Sequence, residues 1–225
     1  MTTPTTPTST SGITKQTSIL ATNKLIRNTY ILLSLTLAFS AATAGMAMVF
    51  NLPHPGIIIT LVGYFGLLFL TTKFRDRALG LVFVFALTGF MGFTLGPIIT
   101  MYLKLPNGAA LVMNALGATA VTFVGLSAYA LSSRKDFSFM GGFLMAGIIV
   151  AFLAGLGAMF FDMHGLSLVV SAMFVVLMAG LILYQTSAMV NGGETNYIMA
   201  TITLYVSIYN LFTSLLHLMG ALGDD

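Results

Sequence analysis

From residue 30 onward the sequence is a series of long apolar runs, and nearly every charged residue falls in the short gaps between them. A helix needs about 20 apolar residues to cross the ~30 Å hydrocarbon core of a bilayer, at roughly 1.5 Å of rise per residue. Lipid offers the backbone no water to bond, so each run must satisfy its own amides as a helix. The runs cover 30–50, 56–72, 78–101, 109–131, 137–161, 166–190 and 197–222, and the second is the weakest. They predict an all-α membrane protein, one bundle of seven transmembrane helices over 24–225 with no soluble domain. Composition agrees, because only 7% of the 225 residues are charged, whereas a soluble domain carries roughly 25%. In the third run, Gly96-Pro97 predicts a broken last turn, since proline removes a helical donor.

Residues 1–23 are dominated by Thr, Ser and Pro, which predicts a disordered cytoplasmic tail. Such a tail is either a plain extension or a handle for a cytoplasmic partner or protease. On an alternating seven-span path, Lys15, Lys24, Arg27, Lys73, Arg75, Arg77, Arg134 and Lys135 share one side, and only Lys104 lies on the other. Positive residues near span ends resist translocation. The N-terminus is therefore expected in the cytoplasm and the C-terminus on the far side. A re-entrant last segment is the alternative, with six crossings and the C-terminus back inside. The formal charge of +3 is scattered over connectors. That pattern suits anionic lipid head groups as partners and lacks the basic stripe that nucleic acid requires.

Several chemistries are excluded. There is no cysteine, hence no disulfide, thiolate nucleophile or Cys-ligated metal. No acidic residue lies deep in a run and no HExxH occurs, which argues against intramembrane aspartyl proteases, carboxylate-driven pumps and zinc proteases. Lys135 is the last lysine, so nothing in the last three runs could hold retinal. Asp162 and His164 are close in sequence, but two ligands do not make a metal site. No catalytic residue, cofactor or metal is expected.

The informative residues in a bilayer are the polar ones inside it. In the seventh run Thr203, Ser207, Asn210, Ser214 and His217 recur at spacings of four, three, four and three, a single narrow stripe of a helix. It has two readings, interhelical hydrogen bonding or the lining of a polar pathway. Asn114, with Ala118 and Thr122, repeats the pattern in the fourth run. Gly89, Gly92 and Gly96 in the third run, and Gly147, Ala151 and Gly155 in the fifth, form small-residue seams that let helices approach closely.

Three stretches carry a resemblance. They are Arg27-Asn28-Thr29-Tyr30 leading into residues 32–41, Ser133-Arg134-Lys135-Asp136-Phe137-Ser138-Phe139 before Gly141-Gly142, and Gly192-Gly193-Glu194-Thr195-Asn196-Tyr197 before Leu204-Tyr205-Val206-Ser207 and Tyr209-Asn210. Together, and in this order, they resemble bacterial members of the Bax inhibitor motif family of seven-span proteins. The resemblance implies a central seventh helix wrapped by the other six and residence in the bacterial inner membrane. It implies as partner the membrane-anchored, ATP-dependent FtsH protease, with its attendant proteins HflK and HflC. The chain would then be both a modulator of FtsH and its substrate through the N-terminal tail, not an enzyme. Other members are pH-sensitive calcium leaks that rely on paired aspartates in the last two helices. The matching positions here are Gln185 and Ser207, which cannot share a proton as two carboxylates do. A pH-sensitive leak for calcium or protons through the bundle stands as the alternative function.

Overall fold

The computed structural model describes residues 10–222, with side-chain surroundings from Leu20 onward. Each apolar run becomes a helix: α1 Thr10–Val49, α2 Ile57–Lys73, α3 Ala78–Leu103, α4 Gly108–Ser133, α5 Gly141–Phe160, α6 His164–Asn191 and α7 Tyr197–Leu222. A short 3-10 turn, Ser138–Met140, leads into α5. Among the described residues, six helices are long and apolar enough to cross a membrane. The exception is α2, whose 17 residues rise roughly 25 Å.

Two expectations are revised. Helix α3 continues through Pro97 to Leu103 instead of breaking at Gly96-Pro97. Without water, leaving the helix would strand several backbone groups, which costs more than the one bond that proline removes. Helix α1 begins at Thr10 and so includes residues 10–23 of the expected tail; residues 1–9 lie outside the described residues. Once a membrane-anchored turn exists, each further residue adds a bond without repeating nucleation.

Helix packing follows the seams. Gly89 of α3 lies against the Phe39 ring of α1, and Gly92 against the Ser40 carbonyl and Thr43 hydroxyl. One turn on, a Cβ at Gly96 would sit 2.6 Å from the Ala44 carbonyl oxygen. At Gly147 of α5, a Cβ would sit 2.6 Å from Leu177 of α6. Helix α7 packs against α1, α3, α4 and α6, while α2 rests on α3 and α5 on α6. Half of the apolar window of α7 is buried, against 17% for α4. Leu33, Leu87, Ile182, Leu204 and Leu211 anchor the main core. Large apolar side chains such as Ile58, Val62, Phe69, Val121 and Phe143 point outward, as lipid-facing surfaces should.

The helices run alternately between two faces. Asn196 before α7 bonds the α2–α3 connector, and Asn191 at the end of α6 bonds Lys135 in the α4–α5 connector. Thr22 and Asn23 of α1 border a pocket with Arg134 and Asn191. These contacts gather Lys24, Arg27, Lys73, Arg75, Arg77, Arg134 and Lys135 at one basic face. At the opposite face Gly220 of α7 meets Tyr102 of α3, and His217 of α7 meets Ser171 of α6. Short as it is, α2 returns the chain to the basic face.

Candidate functional site

The Gly192–Tyr197 motif builds a connector on the basic face. Gly192 ends α6 at φ +80°, a left-handed conformation that glycine adopts without a Cβ clash. The Gly193 and Glu194 amides then both donate to the Ala188 carbonyl, at 2.8 and 3.1 Å. Glu194 Oε1 accepts from the Thr195 and Asn196 amides, each at 2.8 Å. Asn196 Oδ1 accepts from the Ile198 and Met199 amides at 3.0 and 3.1 Å, capping α7. Its Nδ2 donates to Asp76 Oδ1 at 2.8 Å and to the Arg75 carbonyl at 3.2 Å. One side chain thus starts α7 and ties it to the α2–α3 connector. Asn196→Ala removes both roles and is expected to cost about 1–2 kcal/mol, to be read as lower thermal stability in detergent.

The α7 stripe separates into residues with different fates. Ser207 is fully buried and Ser214 nearly so, while Thr203, Asn210 and His217 are partly buried. Ser207 Oγ donates to the Thr203 carbonyl at 2.7 Å, and Asn210 Nδ2 to the Val206 carbonyl at 2.8 Å. Both bonds close on α7 itself. Only His217 reaches another helix, its Nδ1 lying 2.7 Å from Ser171 Oγ on α6. Ser171 donates to the Ser167 carbonyl, which makes the His217 ring the donor. Asn114 is exposed on α4 and takes no part: the buried side of that helix carries Val112, Ala115, Thr119 and Ser127.

The other cross-helix bonds come from residues that the sequence pattern passed over. Ser40 Oγ of α1 lies 2.6 Å from the Tyr205 hydroxyl of α7. Tyr205 donates to the Thr88 carbonyl of α3 at 3.2 Å, so Ser40 donates to Tyr205. One turn along, Tyr209 bonds Thr94 of α3 at 3.2 Å. Thr201 Oγ1 donates to the Tyr197 carbonyl of its own helix at 2.7 Å and lies 3.3 Å from the Thr29 carbonyl of α1. The available signal was a pair of tyrosines four residues apart in a span, each an apolar body with a hydroxyl that seeks a partner when buried.

Two cavities lie between the helices, and one of them borders α7. A polar notch of about 390 Å³ opens on the basic face, bordered by Asn23 and Ile26 of α1, Leu131 and Arg134 at the end of α4, and Val190 and Asn191 of α6. About one turn deeper on these helices lie Thr29, Tyr30, Ser127, Gln185 and Thr186, whose buried polar side-chain atoms include ones without a protein partner. An unsatisfied buried group costs about 1–3 kcal/mol, so this cluster marks where polar chemistry is held in an otherwise apolar core. Gln185 belongs to it through Nε2, and no hydrogen bond joins Gln185 to Ser207 among the described residues. The second cavity is an apolar cleft of about 620 Å³ bordered by α2, α3, α5, α6 and α7, with Thr203 and Asn210 on its wall.

The comparisons with known proteins agree with this architecture. Residues 22–224 match the family described as inhibitor of apoptosis-promoting Bax1. An uncharacterized protein of Pseudomonas aeruginosa is 56% identical over 201 residues, 89% of this chain and 90% of that protein. The modulator of FtsH protease YccA of Escherichia coli is 51% identical over 210 residues, 93% of this chain and 95% of that protein. An uncharacterized membrane protein of Vibrio cholerae is 42% identical over 207 residues, 92% of this chain and 93% of that protein. With the family matched across nearly all of an all-helical bundle, this chain belongs to the Bax inhibitor family of multi-pass membrane proteins.

Proposed function

We propose that this chain is a non-enzymatic protein of the bacterial inner membrane that binds the FtsH protease and modulates it. The observation that carries this reading is 51% identity across 95% of the Escherichia coli modulator of FtsH. The basic face is cytoplasmic, by the rule that positive residues stay inside, and the C-terminus is periplasmic. Helix α7 is the central helix around which the others assemble. The Thr-, Ser- and Pro-rich segment at 1–23 is the handle by which FtsH takes the chain as a substrate, and HflK and HflC sit in the same assembly. Gentle solubilisation of native membranes is expected to recover the protease with this chain. Deleting residues 1–20 is expected to lengthen its half-life in FtsH-containing cells several-fold while leaving co-purification intact. An unchanged half-life, with no change in FtsH action on other substrates, would remove the handle.

A leak for calcium or protons is the alternative, and the polar notch above Gln185 is the observation that favours it. Of the α7 stripe, Thr203 and Asn210 lie on the other, apolar cavity. Reconstituted protein that passes ions at a rate abolished by Gln185→Leu would support the leak. Background flux across pH, unaltered by substitutions at Gln185, Ser207 and Asn210, would dismiss it.

A further inference from the structure

The apolar cleft is a feature that the proposed function leaves unused. Along α7 its wall runs from Met199, near the start of the helix, to Asn210; along α2 it runs from Thr72 back to Thr60. These stretches span about 16 and 18 Å at 1.5 Å per residue. The slot therefore starts at the basic ends of α2 and α7 and runs along them toward the opposite face. Its walls include Leu68 of α2, Ile148 of α5 and Phe174 of α6. The polar groups at its deep end already have partners, with Asn210 Nδ2 bonded to the Val206 carbonyl and Tyr209 paired with Thr94.

The cleft opens sideways between α2 and α5, which pack on different neighbours, α3 and α6. Ile149 and Leu153 of α5 border it and are also exposed at the surface. The rings of Phe65 and Phe152 meet edge to face with centroids 5.8 Å apart and bridge this gap at one level. The volume of about 620 Å³ falls within the ~300–1,000 Å³ range of small-molecule sites. Water gains nothing against walls of this kind, since an apolar cavity stays dry.

Next to Thr72 at the basic end, Lys73 is exposed, its Nζ 6.0 and 5.9 Å from the centroids of Phe69 and Phe74. Arg77 lies over the same Phe74 ring at 6.0 Å. Neither cation has a carboxylate partner among the described residues, whereas Asp76 is engaged by Arg75 and Asn196.

We infer that this cleft holds one acyl chain of an anionic glycerophospholipid from the leaflet at the basic face, with the phosphate at Lys73 and Arg77. The chain enters between α2 and α5, replaces the missing dispersion contacts of the apolar walls, and ends against Thr94 and Tyr209.

The test uses the full-length protein in nanodiscs containing trace phosphatidylglycerol with a diazirine on its acyl chain, followed by mapping of the photo-adducts. Adducts on Phe65, Ile148 and Phe174 are expected at several times the level on Val121 and Val124, which face lipid from α4. Ile148→Trp fills the slot and is expected to remove the cleft adducts. Should that variant fail to fold, Lys73→Gln at an exposed position serves instead, with labelling by the anionic probe down about fivefold. Equal labelling of the cleft and the α4 surface would overturn the proposal. So would equal labelling by phosphatidylethanolamine that ignores Lys73→Gln, or cross-links from a partner's transmembrane segment in place of lipid.

Discussion

Replacing Gly92 by leucine is expected to separate α1 from α3 and leave little folded protein. Even a Cβ at Gly92 would strike the Ser40 carbonyl and the Thr43 hydroxyl, and a backbone carbonyl cannot rotate out of the way. Overpacking a close-packed interface costs about 1–3 kcal/mol for a few atoms, occasionally more. Leucine adds four carbons at a helix crossing, so the effect belongs at or above the top of that range. The neighbouring positions grade the effect. At Gly89 the obstructing atoms belong to the Phe39 ring, a side chain that can move, so Gly89→Ala is expected to be milder than Gly92→Ala. Gly117 on α4 has no atom within 4 Å of where its Cβ would be, and Gly117→Leu is expected to be near neutral. The measurement is the fraction of monodisperse protein after graded heating in detergent. Equal tolerance at Gly92 and Gly117 would contradict the seam.

The second large effect is expected at Tyr205, which is 1% exposed and among the largest fully buried side chains. Its ring fills the junction of α7 with α1 and α3, and its hydroxyl accepts from Ser40 and donates to the Thr88 carbonyl. Tyr205→Ala combines a cavity with two broken bonds, and truncation of a buried aromatic costs about 3–5 kcal/mol. Tyr205→Phe keeps the packing and leaves the Thr88 carbonyl without this donor, at about 1–2 kcal/mol. A double-mutant cycle with Ser40→Ala should show coupling, because the two hydroxyls share one bond. Ser207→Ala is expected to change stability by less than about 0.5 kcal/mol, since its hydroxyl bonds only its own helix. If Ser207→Ala proved as damaging as Tyr205→Phe, the hydrogen-bond assignments on α7 would be wrong.

That contrast locates the limit of the sequence for the candidate site. The stripe from Thr203 to His217 is real as a periodicity, yet only His217 uses its polar atom on another helix. A serine or threonine in a helix always has the carbonyl four residues back within reach. Spacing alone therefore cannot tell whether a hydroxyl serves its own backbone or a neighbour. The tyrosines reach further, and Tyr205 and Tyr209 provide bonds that shorter side chains at Ser207 do not. Asn114 illustrates a related limit: its spacing with Thr122 is helical, but a spacing does not say which way a face points. Helix α4 buries Val112, Ala115 and Thr119 instead.

The sequence by itself determined the helical class, the seven apolar segments, the family and the segregation of basic residues. Each of these rests on a local or additive property: the absence of backbone partners in lipid, the length of an apolar run, or a count of charges between runs. It also marked the glycine seams, because close approach needs small residues whatever the partner helix is. Only the tertiary structure decided which helices meet across those seams, that Asn196 joins two connectors, and that α3 carries on through Pro97. The polar notch above Gln185 and the apolar cleft beside α7 likewise exist only between helices. Their walls come from residues far apart in the chain, so no single segment encodes them.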